Sequence, residues 1–346
     1  MRLRIGLTMG DPAGIGPEII LKALEVLASR PDDIDAVVIG TRSCMEEAAG
    51  RFGGGARIVP ANGAVRWPQV ALIEAATTKR SIEPGRLDAE AGGLAYAAIE
   101  RAVQLAMAGE IDAIVTAPIS KEALHLAGFT YPGHTEILAE LTGSGRSCML
   151  LVHDRLRVAH LSTHVALADV PKRLTPERLS YVIEVARQAL LDLGFGNPRI
   201  GVCALNPHAG EGGMFGREDQ DVIRPVVEGF RARGVEIEGP VPGDTVYVKA
   251  LAGRYDAVIA MYHDQGHIPV KMPGFAMDAA SGQMSALSGV NVTLGLPIIR
   301  TSVDHGTAFD IAGRGIANPQ SMIEAIEVAA QMVPAHKRRQ QNGGKS

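Results

Sequence analysis

Apolar positions along this chain follow two alternating rhythms. Short β-branched runs at 4–9, 35–40, 111–116, 199–205 and 256–261 read as buried strands. Between them lie longer stretches of helical periodicity. Leu179, Val182, Ile183, Ala186 and Leu190 share one helix face, Thr175 is placed to cap that helix, Pro176 suits its first turn, and Gly194 suits a left-handed end. Ile99, Ala102, Val103 and Ala106 form a second stripe that stops at Gly109. Met322, Ile326, Ala329 and Val333 form a third, stopping before Pro334. Strand and helix in regular succession predict an α/β fold with a largely parallel sheet. The length, 346 residues, favours two lobes, with the chain crossing more than once and a cleft between them. Residues 273–289, rich in Gly, Ala, Ser and Met, read as a long mobile loop placed to serve as a lid.

Composition narrows the function classes. The formal net charge is −4, and the one basic run, Lys337-Arg338-Arg339, reads as a solvated end, so neither nucleic acid nor an anionic membrane is an expected partner. No apolar stretch is long enough to span a bilayer, and the first residues lead straight into a strand without a signal peptide. Cys44, Cys148 and Cys203 are too scattered for a disulfide framework or a thiolate zinc site and suit a reducing cytoplasm.

Four groups of residues carry candidate chemistry. The segment GDPAGIGPE (10–18) follows a strand and opens a helix, which makes it either a tight βα turn or a cradle for an anionic group; it is neither GxGxxG nor a P-loop. His134, His164, His208 and His263 stand near strand ends, and three imidazoles without cysteine suit Zn²⁺, Co²⁺, Mn²⁺ or Ni²⁺ with positions left for substrate oxygens. Arg300 leads into a polar, glycine-punctuated stretch at 304–315; its donor fork fits a carboxylate or phosphate as well as a structural salt bridge. Lys121 and Lys271 follow apolar runs and could act as anion clamps or proton carriers, or as ordinary surface lysines. His125, His153, His160, His267 and His336 take the plain reading of core or surface residues.

Taken in order, GDPAGIGPE (10–18), TAPISKEALHLAG (116–128), YPGHTE (131–136), NPHAGEGG (206–213), YHDQGHIPVK (262–271) and NVTLGLPIIRTSVDHGTAFDIAGRG (291–315) resemble the 4-hydroxythreonine-4-phosphate dehydrogenase family over nearly the whole chain. The resemblance extends to the isocitrate/isopropylmalate dehydrogenase fold group, whose adenosine-binding loop is similar to 305–319. It implies a two-lobed α/β fold with a parallel or mixed sheet and the active-site cleft between lobes. The cofactor-side lobe would comprise about 1–130 with 290–346, and the metal, substrate and dimerisation lobe about 131–289. It also implies metal ligation by His164, His208 and His263, drawn from both subunits of a homodimer. Substrate binding would fall to His134, Thr135, Lys271, Asn291 and Arg300, and NAD or NADP contact to His305, Gly306, Asp310, Gly313 and Gly315. Lys271 and Asp244 become the catalytic candidates, the latter by steering a neighbouring histidine or lysine.

The implied reaction is metal-dependent oxidation, then decarboxylation, of a phosphorylated 3-hydroxy acid with one divalent ion (Zn, Co, Mn or Mg). The first expectation for substrate is 4-hydroxy-L-threonine 4-phosphate, giving 3-amino-2-oxopropyl phosphate in pyridoxine biosynthesis. The insert between Lys271 and Asn291, and Gly266-His267-Ile268-Pro269, look more like paralogues acting on D-threonate or D-erythronate 4-phosphate. A terephthalate cis-dihydrodiol dehydrogenase is a further branch. A non-redox three-histidine hydrolase or lyase is the rival from another class, and a non-catalytic sugar-phosphate binding protein a second.

Overall fold

Every sequence-predicted strand forms, within about two residues of its expected ends. In the computed structural model, which describes residues 2–29, 34–277 and 284–343, the chain opens with β1 (Leu3–Thr8), α1 (Gly16–Ala28), β2 (Ile34–Gly40), α2 (Arg42–Phe52), β3 (Arg57–Pro60) and β4 (Gln69–Glu74). It continues through α3 (Ala89–Met107), β5 (Ala113–Thr116), α4 (Lys121–Leu126) and α5 (His134–Leu141). Next come β6 (Cys148–His153), β7 (Leu156–His160), α6 (Val170–Arg173), α7 (Pro176–Asp192), β8 (Ile200–Cys203), α8 (Arg224–Ala232) and β9 (Ile237–Val241). The rest is α9 (Gly243–Leu251), β10 (Ala257–Ala260), α10 (His263–Gly274), β11 (Phe275–Met277), β12 (Met284–Leu287), β13 (Val290–Leu294), β14 (Arg300–Val303) and α11 (Gln320–Gly343). Two compact units result: Met1–Ser147 with Leu296–Val333, and Cys148–Gly295 with Pro334–Ser346.

In the first unit the strands run β3-β4-β2-β1-β5-β14, every neighbouring pair parallel. Ile99, Ala102 and Val103 of the expected α3 stripe are buried with Val37, Ile39 and Ile114 of the sheet and Leu124, Ile137 and Leu138 of α4 and α5. Asp88 caps α3 by accepting from the Glu90 and Ala91 amides at 2.8 and 3.2 Å, a contact typically worth about 1 kcal/mol. Gly109, at φ +72°, follows the helix end.

In the second unit the order is β13-β6-β7-β10-β8-β9. The β13–β6 and β6–β7 pairs are antiparallel, and the rest are parallel, so the sheet is mixed. The β6–β7 hairpin turns on Asp154 at φ +48°, a left-handed position that aspartate tolerates better than most residues. Helix α7 has the expected ends: Thr175 Oγ1 accepts from the Arg178 amide at 3.2 Å, Pro176 stands in the first turn, and Gly194 has φ +95°.

Three readings change. Helix α11 does not stop at Pro334 but runs through it to Gly343; proline removes only its own N–H bond, and flanking turns can carry the helix across a kink. The basic tail is not merely solvated, since Arg339 donates to both Asp192 oxygens at 2.7 and 2.8 Å. Part of the 273–289 loop is an antiparallel ribbon of β11 and β12; residues 278–283, where a lid would have its tip, lie outside the described residues. Among the described residues no helix is long and apolar enough to cross a membrane.

Candidate active site

Arg300 opens β14 and is almost wholly buried, at 3% exposed. Parallel pairing sets Thr8, Thr116 and Ser302 opposite one another on β1, β5 and β14. Residues in register on a parallel sheet share a face, and alternation brings Arg300, two residues before Ser302, to that face as well. Its Nη2 donates to Thr116 Oγ1 at 2.6 Å. Burial pulls the guanidinium down to about 9 against the opposing charge of Glu136, so it stays cationic at neutral pH. His134 begins α5 with Thr135 beside it. The His134 residue is half-buried, but its Nε2 is sealed from solvent and finds no hydrogen-bond partner. Burial first, and the Arg300 charge second, hold this imidazole well below its ordinary range and therefore neutral. A buried cation beside a neutral imidazole with an unused nitrogen favours an anionic group carrying acceptor and donor oxygens. Thr116 was not named among the site candidates, although it opens TAPISKEALHLAG (116–128) and stands at a strand end.

Residues 304–319 contain turns but no helix or strand. Gly306, Asp310 and Gly313 are exposed there, His305 and Gly315 half-buried. His305 Nδ1 lies 3.0 Å from the Gly306 carbonyl, and burial lowers the ring's pKa. Against this loop packs GDPAGIGPE, and the packing bears on its two readings. The Ala13 and Gly14 amides donate to Asp11 (2.9 Å to Oδ1 and 3.0 Å to the carbonyl), and the Ile15 amide donates to the Thr307 carbonyl at 3.0 Å. Three of the motif's N–H groups are thus used, two within the turn and one on the loop, which supports the tight-turn reading. Gly14 is required by contact, since a Cβ there would meet the Thr307 carbonyl oxygen at 2.9 Å.

Asp11 is 1% exposed, and its Oδ2 has no hydrogen-bond partner. Burial, seconded by the Asp88 charge, raises its carboxyl from 3.8 to about 6 despite the Ala13 N–H. Between these two values the folded chain holds a proton that the unfolded chain has released. Stability therefore falls as pH rises through the window, by about 3 kcal/mol in all at pH 7. Asp11→Asn keeps the Oδ1 acceptor and cannot ionise. It should unfold at a higher temperature than the wild type at about pH 8, with the gap closing near about pH 4. A gap independent of pH would refute this account of Asp11.

In the second unit, His263 starts α10 directly after β10, and its Nδ1 contacts Asp264 Oδ1 at 2.8 Å. That carboxylate orients the ring and leaves Nε2 for a ligand. The His164 ring lies 5.9 Å from it, on the loop after β7. His267 stacks on His263 at 3.6 Å, its Nδ1 3.0 Å from the His263 carbonyl, and buried His160 lies 4.7 Å further on. Sequence reading gave both the plain role; only the i, i+4 spacing of 263 and 267 could have hinted otherwise.

His208 is exposed on a left-handed turn in which residues 208–212 all have positive φ, among them His208 (51°), Ala209 (56°) and Glu211 (41°). Each such non-glycine position costs roughly 1–2 kcal/mol, and strain of this kind collects at functional sites. Fully buried Asp219 anchors the turn, accepting from the Leu205 and Asn206 amides at 2.9 and 3.0 Å. Among the described residues, one chain gathers no group of three or more His, Cys, Asp or Glu able to hold a metal. Lys271 is half-buried on α10 and Asn291 half-buried on β13. Asp244 is exposed in the first turn of α9 and hydrogen-bonds to no described histidine or lysine.

Two α/β units, one holding a buried guanidinium beside a neutral imidazole and the other a row of strand-end imidazoles, define an α/β enzyme with polar groups gathered at strand ends. Residues 32–329 match the family described as pyridoxal phosphate biosynthetic protein PdxA, and the chain belongs to that family. It is 55% identical to a protein of Bradyrhizobium diazoefficiens provisionally named a D-threonate 4-phosphate dehydrogenase, over 95% of this chain and 96% of the relative. It is 47% identical to the D-threonate 4-phosphate dehydrogenase of Pectobacterium atrosepticum, over 95% and 98%. Among solved structures, 4-hydroxythreonine-4-phosphate dehydrogenase from Klebsiella pneumoniae superposes with a TM-score of 0.83 at 44% identity, covering 96% of this chain and 98% of its own.

Proposed function

We propose that this chain oxidises and decarboxylates a phosphorylated four-carbon 3-hydroxy acid with NAD or NADP and one divalent metal ion. The Arg300–His134 pair carries the reading. A guanidinium kept cationic in a buried setting, next to an imidazole kept neutral, is organised for an anionic oxygen. On identity, D-threonate 4-phosphate ranks ahead of 4-hydroxy-L-threonine 4-phosphate, the reverse of the order expected from the sequence.

The residues take the following parts. Arg300, His134 and Thr135, with Lys271 and Asn291, bind phosphate and carboxylate oxygens and fix the C3–H bond toward the coenzyme. His305, Gly306, Asp310, Gly313 and Gly315 contact the coenzyme, which when bound supplies the hydride acceptor. Lys271 is the catalytic candidate, its Nζ donating to the substrate's oxygens; for Asp244 only a long-range steering role is left. The donor chemistry of His164, His208 and His263 fits a divalent ion, supported by the His164–His263 proximity and the Asp264 contact. Such an ion supplies Lewis acidity toward the substrate hydroxyl and carboxylate. Among the described residues one chain does not gather three ligands, and a second copy in a homodimer would complete the set. We place the enzyme in the cytoplasm, where its three free, buried cysteines would stay reduced.

Coenzyme reduction with D-threonate 4-phosphate and 4-hydroxy-L-threonine 4-phosphate, each with NAD and NADP, tests this. One ester should react and a chelator should abolish turnover. Turnover insensitive to complete metal removal would reject the histidine site. Inactivity with both esters, in metal-loaded protein, would reject the substrate class.

A further inference from the structure

The GDPAGIGPE motif ends on Glu18, which pairs with Lys22. Glu18 is 2% exposed on the first turn of α1, and one helical turn later Lys22 Nζ donates to its Oε1 at 2.7 Å. The same Nζ donates to the carbonyls of Gly315 and Ala317, both at 2.9 Å. Glu18 Oε1 also accepts from the Ala317 amide at 2.8 Å. This ammonium and carboxylate therefore close on both polar groups of Ala317 and on one of Gly315. The far end of the loop is held as well, by the Ile15 amide on the Thr307 carbonyl and by the close fit of Gly14 against Thr307. Segment 13–22 thus grips the loop at Thr307 and again at 315–317, and leaves Asp310 and Gly313 between those points, and Gly306 just before them, exposed.

Such an arrangement fits a mould more than a binding site. A loop without helix or strand has few bonds of its own to hold exposed glycines in one conformation. Its affinity for a ligand falls by the fraction of time spent in other shapes. We propose that Glu18 and Lys22 are positioning residues for the coenzyme: they hold 304–319 in the conformation that binds it and touch neither coenzyme nor substrate. This rests on the reading of that loop as the coenzyme site, and the test separates the two.

Lys22→Met removes three hydrogen bonds and retains the length of the side chain. Gly14→Ala presses on the loop from its other end and leaves Lys22 in place. For each variant, amide exchange of peptides covering 304–319 is measured in the otherwise native protein, alongside KM for coenzyme, KM for the phosphorylated acid, and kcat. Both variants should speed exchange in the loop and raise the coenzyme KM about tenfold, with kcat at saturation and the substrate KM changing less than about threefold. Lys22→Arg, which can still donate to the carbonyls, should recover most of the protection. Unchanged exchange in both variants overturns the clamp. Faster exchange with an unchanged coenzyme KM overturns the assignment of this loop to the coenzyme, and the positioning role with it.

Discussion

Replacing Arg300 by methionine should raise the KM for the phosphorylated acid by about two orders of magnitude or more, while thermal stability holds or improves. The two halves of that result have one cause. Burial lowers the guanidinium from its ordinary value to about 9, with Glu136 opposing. Between those values the folded chain binds fewer protons than the unfolded one. The penalty is therefore fully present below about pH 9 and is relieved only as pH rises toward the ordinary guanidinium range. Methionine fills most of the volume without a charge, giving up the guanidinium's contacts, the 2.6 Å bond to Thr116 among them, but removing that penalty. An anion bound beside Arg300 offsets the same penalty in the complex, so the native enzyme should gain more in melting temperature from saturating substrate than the variant does. Arg300→Lys keeps the charge and loses the planar fork, and should fall between the two in KM. A methionine variant with native KM would show that Arg300 serves the fold and not the substrate. A large drop in melting temperature would show that its charge is better compensated than the burial argument allows.

How far the sequence reaches is clear from where such residues sit. Buried parallel strands announce themselves as short β-branched runs, and α7 was legible from Thr175, Pro176 and Gly194 because caps act within a turn of the residues they serve. Hairpin β6–β7 was not: its turn uses Asp154 without a glycine, and its buried positions do not alternate strictly with polar ones. Site residues were nameable only as types in a context. That Arg300 meets Thr116, or Lys22 meets Gly315, depends on pairings 184 and 293 residues apart in sequence, which no local periodicity encodes. The histidines show the same limit from the other side. His208 was singled out for following a strand, but its left-handed turn, and the buried Asp219 that fixes it, come from contacts a dozen or so residues away. His267, given a plain role, turns out to be the ring stacked on His263.

Alanine at His164, His208 or His263 should each cut activity about a thousandfold or more and reduce the bound metal, since each removes one of three donors to the same ion. Single variants cannot say which chain supplies which ligand, but mixtures of them can. Suppose one copy gives two imidazoles and its partner the third. In a dimer of two different variants, substitutions at positions that serve one site from opposite chains both fall on one site, and the second site is intact. Random pairing makes half of the dimers hybrids, each with one working site of two, so activity and metal content should recover to about a quarter of wild type. Substitutions at positions supplied by the same chain spoil one site each, and that mixture stays inactive. Of the three pairwise mixtures, two should therefore recover and one should not, and the inactive one names the two ligands that travel together. His164 and His263, whose rings lie 5.9 Å apart within one chain, are the pair to examine first. If no mixture recovers, although hybrids form, all three ligands come from one chain and the shared site is wrong. The strained turn at His208 would then have to move to bring its ring to the other two, which a change in amide exchange at 206–213 on adding metal would reveal.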